Sequence, residues 1–255
     1  MAGKGQRFTE AGYKQSKPLI PVSGKPMILQ AVASMPPAEK WVFVIRQEHL
    51  REKKLIKILQ SVGKKVEILV DKNPTGQLNS CLVAKKFFQK EKDIFIGACD
   101  FGMVYDQKKY LSLLKDKKPD IVSWSFTQQP NLVHNPQAWG WLVPDSRGWR
   151  SASRNYFKIK SVSVKIPISD DPFNDYAITG SFSFKDGKTF LKIADELIRR
   201  DIKVKGEYYI DSMIGVGIDL GLFAYSFPVD KYIGWGTPND LKVYQYWESY
   251  FKLKG

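Results

Sequence analysis

The chain has 255 residues and carries 40 Lys and Arg against 26 Asp and Glu, a formal charge of +14. Hydrophobic residues make up 43% and aromatics 13%, enough for a substantial core, which excludes disorder as the overall state. The longest apolar runs, Trp41 to Ile45 and Ile68 to Val70, fall far short of the roughly 20 residues a membrane-spanning helix needs, so no membrane insertion is expected. Cys81 and Cys99 lack metal-ligand spacing and are too few for a secreted disulfide scaffold. With no apolar leader in MAGKGQRF, a cytoplasmic setting is the expectation.

After a glycine-rich opening, WVFVI (41–45) predicts a buried strand, and the segment bearing Leu50, Leu55, Ile56, Ile58 and Leu59 predicts a helix. KVEILV (65–70) is the next strand, a segment ending LVAKKFF follows, and DIFIGA (93–98) is a third strand. A helix at 108–117 and a strand at 120–126 continue the series. This alternation predicts an α/β fold of βαβ units in a mostly parallel, doubly wound sheet flanked by helices. Between 127 and 175 Pro, Asn, Trp and Gly become frequent and FKIKSVSVKI (157–166) alternates, which predicts a smaller, partly antiparallel insert. Helices at 188–200 and 208–220, a short strand at 222–226 and a last helix from Asn239 to about Lys252 complete a single α/β domain.

A charge of +14 suits nucleic acid, an anionic membrane surface or a small phosphorylated substrate. Lys53, Lys54, Lys57, Lys64, Lys65, Lys85 and Lys86 read as solvated helix faces. Nucleic-acid binding would interleave stacking aromatics with such cations, whereas the aromatics here gather at 139–157 and 244–251, so no nucleic-acid partner is expected. Val243, Tyr246, Trp247, Tyr250 and Phe251 have helical spacing and read as a core face or a subunit contact, compatible with a homo-oligomer. The histidines, His49 and His134, read as surface or loop residues rather than catalysts.

Chemistry concentrates in the first 27 residues. Gly3 and Gly5 leave backbone N–H groups open to an anion, Arg7 adds a forked phosphate donor, and Lys17 places a second cation nearby. In order and spacing, G-x-G-x-R-F, S-K-P-L-I-P-V and G-K-P-M resemble the signature of the sugar-phosphate nucleotidyltransferases, the NDP-sugar pyrophosphorylases. The resemblance implies a Rossmann-like fold and Mg²⁺-dependent transfer from an NTP to a sugar 1-phosphate, releasing pyrophosphate, for surface polysaccharide biosynthesis. It implies that Gly3, Gly5 and Arg7 hold the NTP phosphates and that Lys17 contacts them during transfer. NPTGQLNS (73–80) lies where the family lines the base pocket, implicating Gly76 and Gln77. ACDFG (98–102) supplies Asp100 as the metal-binding carboxylate, WGWL (139–142) supplies Gly140, SVKIP (163–167) supplies Lys165 for the sugar phosphate, and AITGSFSF (177–184) supplies Thr179 and Gly180. GEYYIDSM (206–213) and WGTPNDL (235–241) complete the order. The domain then divides into an NTP-binding half (1–126), an acceptor-binding insert (127–184) and C-terminal helices (185–255).

Three positions depart from the family pattern. Gly234 stands where many members have a second metal-binding Asp, so that ligand is expected from Asp230 or Asp211, unless Asp100 and the phosphates suffice. Val164 replaces the Glu expected before Lys165. The glycine loop begins at Gly3, where the family has an apolar strand ahead of it, so a strand upstream of Met1 is expected. The first two departures keep a cytidylyltransferase acting on a non-sugar phosphate in view. A non-catalytic sensor or assembly relative is the other alternative.

Overall fold

The structure, a computed structural model, describes residues 3, 5–145 and 155–254. The expectation about the start concerns Met1 and the residues around it, and Met1, Ala2 and Lys4 lie outside the described residues. The chain forms two compact units, one from Met1–Pro74, Ala98–Val104 and Lys231–Gly255, the other from Thr75–Gly97 and Tyr105–Asp230. The unit boundaries therefore differ from divisions at 126 and 184.

The first unit contains the parallel pair Trp41–Arg46 and Val66–Asp71, joined through the helix Lys53–Gln60. That helix buries Leu55 and Leu59, one turn apart, and turns Lys53, Lys54 and Lys57 outward. Phe43, Ile45, Leu55, Leu59, Ile28 and Cys99 form one apolar cluster. A second cluster joins Phe8, Ile20, Val22, Met27 and Ala31 to Trp235 and Leu241, so both ends of the chain share this core. The strands Phe101–Val104 and Lys231–Gly234 pair antiparallel. Contrary to the surface reading, His49 is buried, its Nδ1 accepts from the Arg46 backbone N–H at 3.4 Å, and desolvation lowers its pKa. A ring spent on a local turn in this way has a structural role. His134 is exposed.

Among the described residues, the second unit is built on a sheet of six strands. Its long strand Tyr176–Asp186 pairs antiparallel with Lys92–Ile96, Ile121–Phe126 and Gly140–Pro144. Ala224–Pro228 runs parallel to Ile121–Phe126, and Phe157–Val164 lies antiparallel to both Ala224–Pro228 and Gly140–Pro144. Trp124 anchors the interior, with Phe95, Tyr105, Tyr110 and Phe227 rings 4.7 to 5.5 Å from it. The helix Gly187–Arg199 is capped by Asp186, whose carboxylate accepts from Thr189 N–H at 2.6 Å.

The α/β class stands, but with less parallel pairing than the alternation predicts. Among the described strands, Trp41–Arg46 with Val66–Asp71 and Ile121–Phe126 with Ala224–Pro228 are the parallel pairs. The chain after 127 returns as Tyr176–Asp186, reversed, between Lys92–Ile96 and Ile121–Phe126. Apolar periodicity reports burial, not strand direction, so a buried antiparallel strand carries the same pattern as a parallel one.

Candidate active site

In the first unit, Gly5 has φ 62°, a left-handed conformation that favours glycine, and caps the short helix Gln6–Glu10. Phe8 points into the core while Arg7 stays exposed. Lys17 opens a single helical turn whose Pro18 is buried. Its Nζ donates to Asp100 Oδ2 at 2.6 Å and to the Gly236 carbonyl at 3.0 Å, and lies 5.4 Å from the Phe8 ring centroid. An ammonium has three protons, so two are committed and one remains for a ligand.

Asp100 sits between the strands Lys92–Ile96 and Phe101–Val104. Its carbonyl accepts from Trp235 N–H at 2.8 Å. The Trp235 ring covers Gly102 so closely that a Cβ there would lie 2.8 Å from the indole. The W-G-T-P segment is thus fixed to Asp100 through backbone and packing together. Next to it, Thr237 and Asp240 form a reciprocal cap on the helix Pro238–Lys254: Thr237 N–H donates to Asp240 Oδ2 at 3.0 Å and Asp240 N–H to Thr237 Oγ1 at 3.1 Å. A Cβ on Gly236 would lie 3.6 Å from Asp100 Oδ2 and 3.9 Å from Asp240 Oδ2. Two carboxylates and one ammonium therefore surround a residue without a side chain. Sequence analysis alone did not single out Asp240.

These residues fit a magnesium site of limited kind. Among the described residues no group of three or more His, Cys, Asp or Glu is placed to hold a metal ion. Mg²⁺ commonly uses one or two carboxylates with substrate phosphates and water, and Asp100 offers such a hard oxygen donor. Asp230 and Asp211 belong to the second unit, whereas Asp100 belongs to the first. Asp230 is exposed and Asp211 is buried.

In the second unit, Gly76, with φ 133°, opens the helix Gln77–Leu82, and a Cβ there would lie 3.2 Å from Glu207 Cβ. Gln77 Oε1 accepts from Ile210 N–H at 3.4 Å and Leu78 N–H donates to the Tyr208 carbonyl at 3.2 Å. The N-P-T-G and G-E-Y-Y-I-D segments are thereby stitched together.

Gly140 pairs with Val164 across two antiparallel strands. A Cβ on Gly140 would lie 2.4 Å from Asp211 Oδ2 and 2.9 Å from Ile178 Cδ1, so only glycine fits over that carboxylate. Lys165, at φ 63°, donates its backbone N–H to the Trp139 carbonyl at 2.9 Å and its Nζ to the Ala138 carbonyl. The same Nζ lies 5.5 Å from the Tyr209 ring centroid. Desolvation pushes the Asp211 carboxyl up to about 6, opposed by the Lys165 charge and a backbone hydrogen bond. Gly140, Lys165 and Asp211 thus converge as one buried-to-surface cluster. Thr179 is buried, its Oγ1 donating to the Trp124 carbonyl at 3.1 Å and accepting from Ser181 N–H at 3.1 Å. Gly180, φ 90°, lies where the register shifts between Ile178 and Phe182. Both shape a bulge in the long strand. A separate groove of about 450 Å³ runs between Phe157–Val164 and Ile210–Asp219. Lys160 and Asp219 are its charged lining groups, and Gly140 and Lys165 do not line it.

A comparison with curated proteins finds no significant match. Solved structures match along nearly the whole chain. A nucleoside-diphosphate-sugar pyrophosphorylase from Vibrio cholerae RC9 superposes with TM-score 0.74 at 19% identity, over 96% of this chain and 97% of that one. A UDP-glucose pyrophosphorylase complexed with UDP-glucose gives 0.71 at 15% identity, over 98% and 96%. The inositol-1-phosphate CTP transferase from T. maritima gives 0.67 at 14% identity, over 96% and 91%. At such identities the likeness is one of fold. The profile described as nucleotidyl transferase matches residues 1–207, and the chain belongs to the nucleotidyl transferase family.

Proposed function

We propose that the protein transfers a nucleotidyl group from an NTP to a sugar 1-phosphate, giving an NDP-sugar and pyrophosphate, as a step toward surface polysaccharide. The observation that carries this reading is the meeting of Lys17 with Asp100 at 2.6 Å beside the side-chain-free Gly236, with the root of the Lys17 side chain against Gly5. An ammonium and a carboxylate set on a glycine-lined surface suit a triphosphate and its counter-cation.

In the reaction, an oxygen of the acceptor phosphate forms a bond to the α-phosphorus while the bond from that phosphorus to the bridging oxygen breaks. The leaving pyrophosphate takes the electron pair. The acceptor phosphate is ionised at neutral pH, so no general base is needed. Two polyanions must approach, and Arg7, Lys17 and Lys165 would offset their repulsion by positioning and charge. Lys17 keeps one proton for phosphate, and Lys165 would meet the acceptor phosphate near Gly140. A bound Mg²⁺, held by Asp100 with phosphate oxygens and water, would neutralise developing charge. Gly76 and Gln77 would face the base.

The acceptor class has a second reading. Val164 lies opposite Gly140, so the carboxylate that the family sets before its lysine is missing from that register. An acceptor with fewer hydroxyls to satisfy, such as phosphocholine or the phosphate of a short alditol taken with CTP, suits that surface. Pyrophosphate release across four NTPs and a panel of hexose, pentose and alditol phosphates tests both readings. Release with a sugar 1-phosphate supports the first and release with CTP and a non-sugar phosphate the second. Silence with every pair, from folded protein, overturns both in favour of a non-catalytic ligand sensor.

A further inference from the structure

The helix Pro238–Lys254 is packed along only part of its length. Leu241 is fully buried, and Tyr244 packs edge-on against Trp235 at 5.8 Å and shares a 2.6 Å hydrogen bond with Ser23. Beyond Gln245 the side chains through Leu253 are exposed, apart from the half-buried Glu248. Val243, Tyr246, Trp247, Tyr250, Phe251 and Leu253 are between 44% and 86% exposed. Their rings touch in series: Tyr246 to Trp247 at 5.4 Å, Trp247 to Tyr250 at 5.9 Å, and Tyr250 to Phe251 at 5.5 Å. They form one continuous aromatic face.

Water opposes this arrangement in two ways. An aromatic side chain presents roughly 150–250 Å², so the six residues at these exposures leave on the order of 600 Å² of contiguous apolar surface, at the upper end of what monomers show. The last turns of a helix are also marginal without a covered face.

We propose that a second copy of this chain covers that face, the two Pro238–Lys254 helices packing along Val243, Tyr246, Tyr250 and Leu253. Three observations select this occupant. The spacing of those four residues is three, four, three, that of a helix–helix seam. An isologous contact uses the patch twice and buries about 1,200 Å² in total, the lower limit of a stable interface. The charged residues of the helix, Asp240 and Glu248 against Lys242, Lys252 and Lys254, sum to +1, so it carries little of the chain's +14. An anionic membrane would call for a strongly cationic helix, which a sum of +1 does not supply.

Sedimentation of the full chain between about 1 and 100 μM, beside the double variant Tyr246→Glu, Tyr250→Glu, is the test. The expected result is a wild-type dimer and a dissociation constant raised about a hundredfold or more in the variant. Circular dichroism should be unchanged, because both side chains are exposed. A wild-type monomer at 100 μM overturns the proposal, as does a dimer that survives both substitutions. Co-sedimentation of a wild-type monomer with phosphatidylglycerol vesicles, abolished in the variant, would also overturn it and assign the face to a membrane.

Discussion

Asp211→Asn separates the stability of the second unit from its chemistry. In an unfolded chain the carboxyl titrates near its ordinary 3.8, and in the folded chain burial raises that to about 6. Below 3.8 the group is protonated in both states and contributes nothing to the difference. Above 6 it is ionised in both, and the folded state bears the whole desolvation cost, about 3 kcal/mol for a shift of this size. Folding is therefore favoured by this group as the pH falls from about 7 to 4. Asn keeps the shape over Gly140 but removes the charge, so the variant should be about 2–3 kcal/mol more stable than wild type at pH 7.5 and nearly equal to it at pH 4. Urea midpoints followed by tryptophan fluorescence across that range measure the difference, in which all other titrating groups cancel. The same substitution removes a negative charge that opposes Lys165 and repels an incoming phosphate, so the Michaelis constant for the acceptor phosphate should fall several-fold while that for the NTP holds. A variant less stable than wild type at pH 7.5, or a difference that ignores pH, would refute the burial argument and mean that Lys165 compensates the carboxylate fully.

Other perturbations follow from the same geometry. Lys17→Ala should lower pyrophosphate release about 10² to 10³-fold, with the fold unchanged by circular dichroism; full activity would remove Lys17 from the reaction. Chelation by EDTA should abolish turnover and Mg²⁺ restore it, while thermal unfolding without nucleotide barely moves, since a single carboxylate binds the ion weakly in the absence of phosphates. Gly187→Ala places a methyl group 1.7 Å from the Phe88 carbonyl oxygen, so the backbone must shift. A loss of about 3 kcal/mol or more in urea unfolding is expected, and a near-neutral result would show that the start of that helix is free to move.

Local pattern made the secondary structure legible. WVFVI, KVEILV and the lysine-faced helix between them carry their periods in plain view, and the strands and helix form where those periods place them. Strand direction was not legible, because the residues that reverse Tyr176–Asp186 lie in the preceding insert rather than in the strand. At the site, Lys17 and Asp100 were readable as separate chemical groups, but their pairing across 83 positions required the fold. Asp240 escaped because a T-x-x-D context is fully explained as a helix cap, and its place beside Asp100, across Gly236, depends on the pairing of two distant strands. His49 was misread since a lone histidine in a charged segment gives no sign of an inward turn. The stripe at 243–251 was visible as a stripe, whereas what it faces is a property of packing.

The Lys17 contact to the Gly236 carbonyl spans 219 positions, and the core beneath it joins Phe8 to Trp235 and Leu241. During synthesis the chain emerges from its amino end, so Gly5 and Lys17 are made before the segment that bears Trp235 and Gly236. Closing so long a loop costs conformational entropy that local structure cannot recover. The second unit, made almost wholly in between, is free to fold ahead of it. A nascent chain halted before Trp235 would thus hold Gly5, Lys17 and Asp100 without the segment that packs on them.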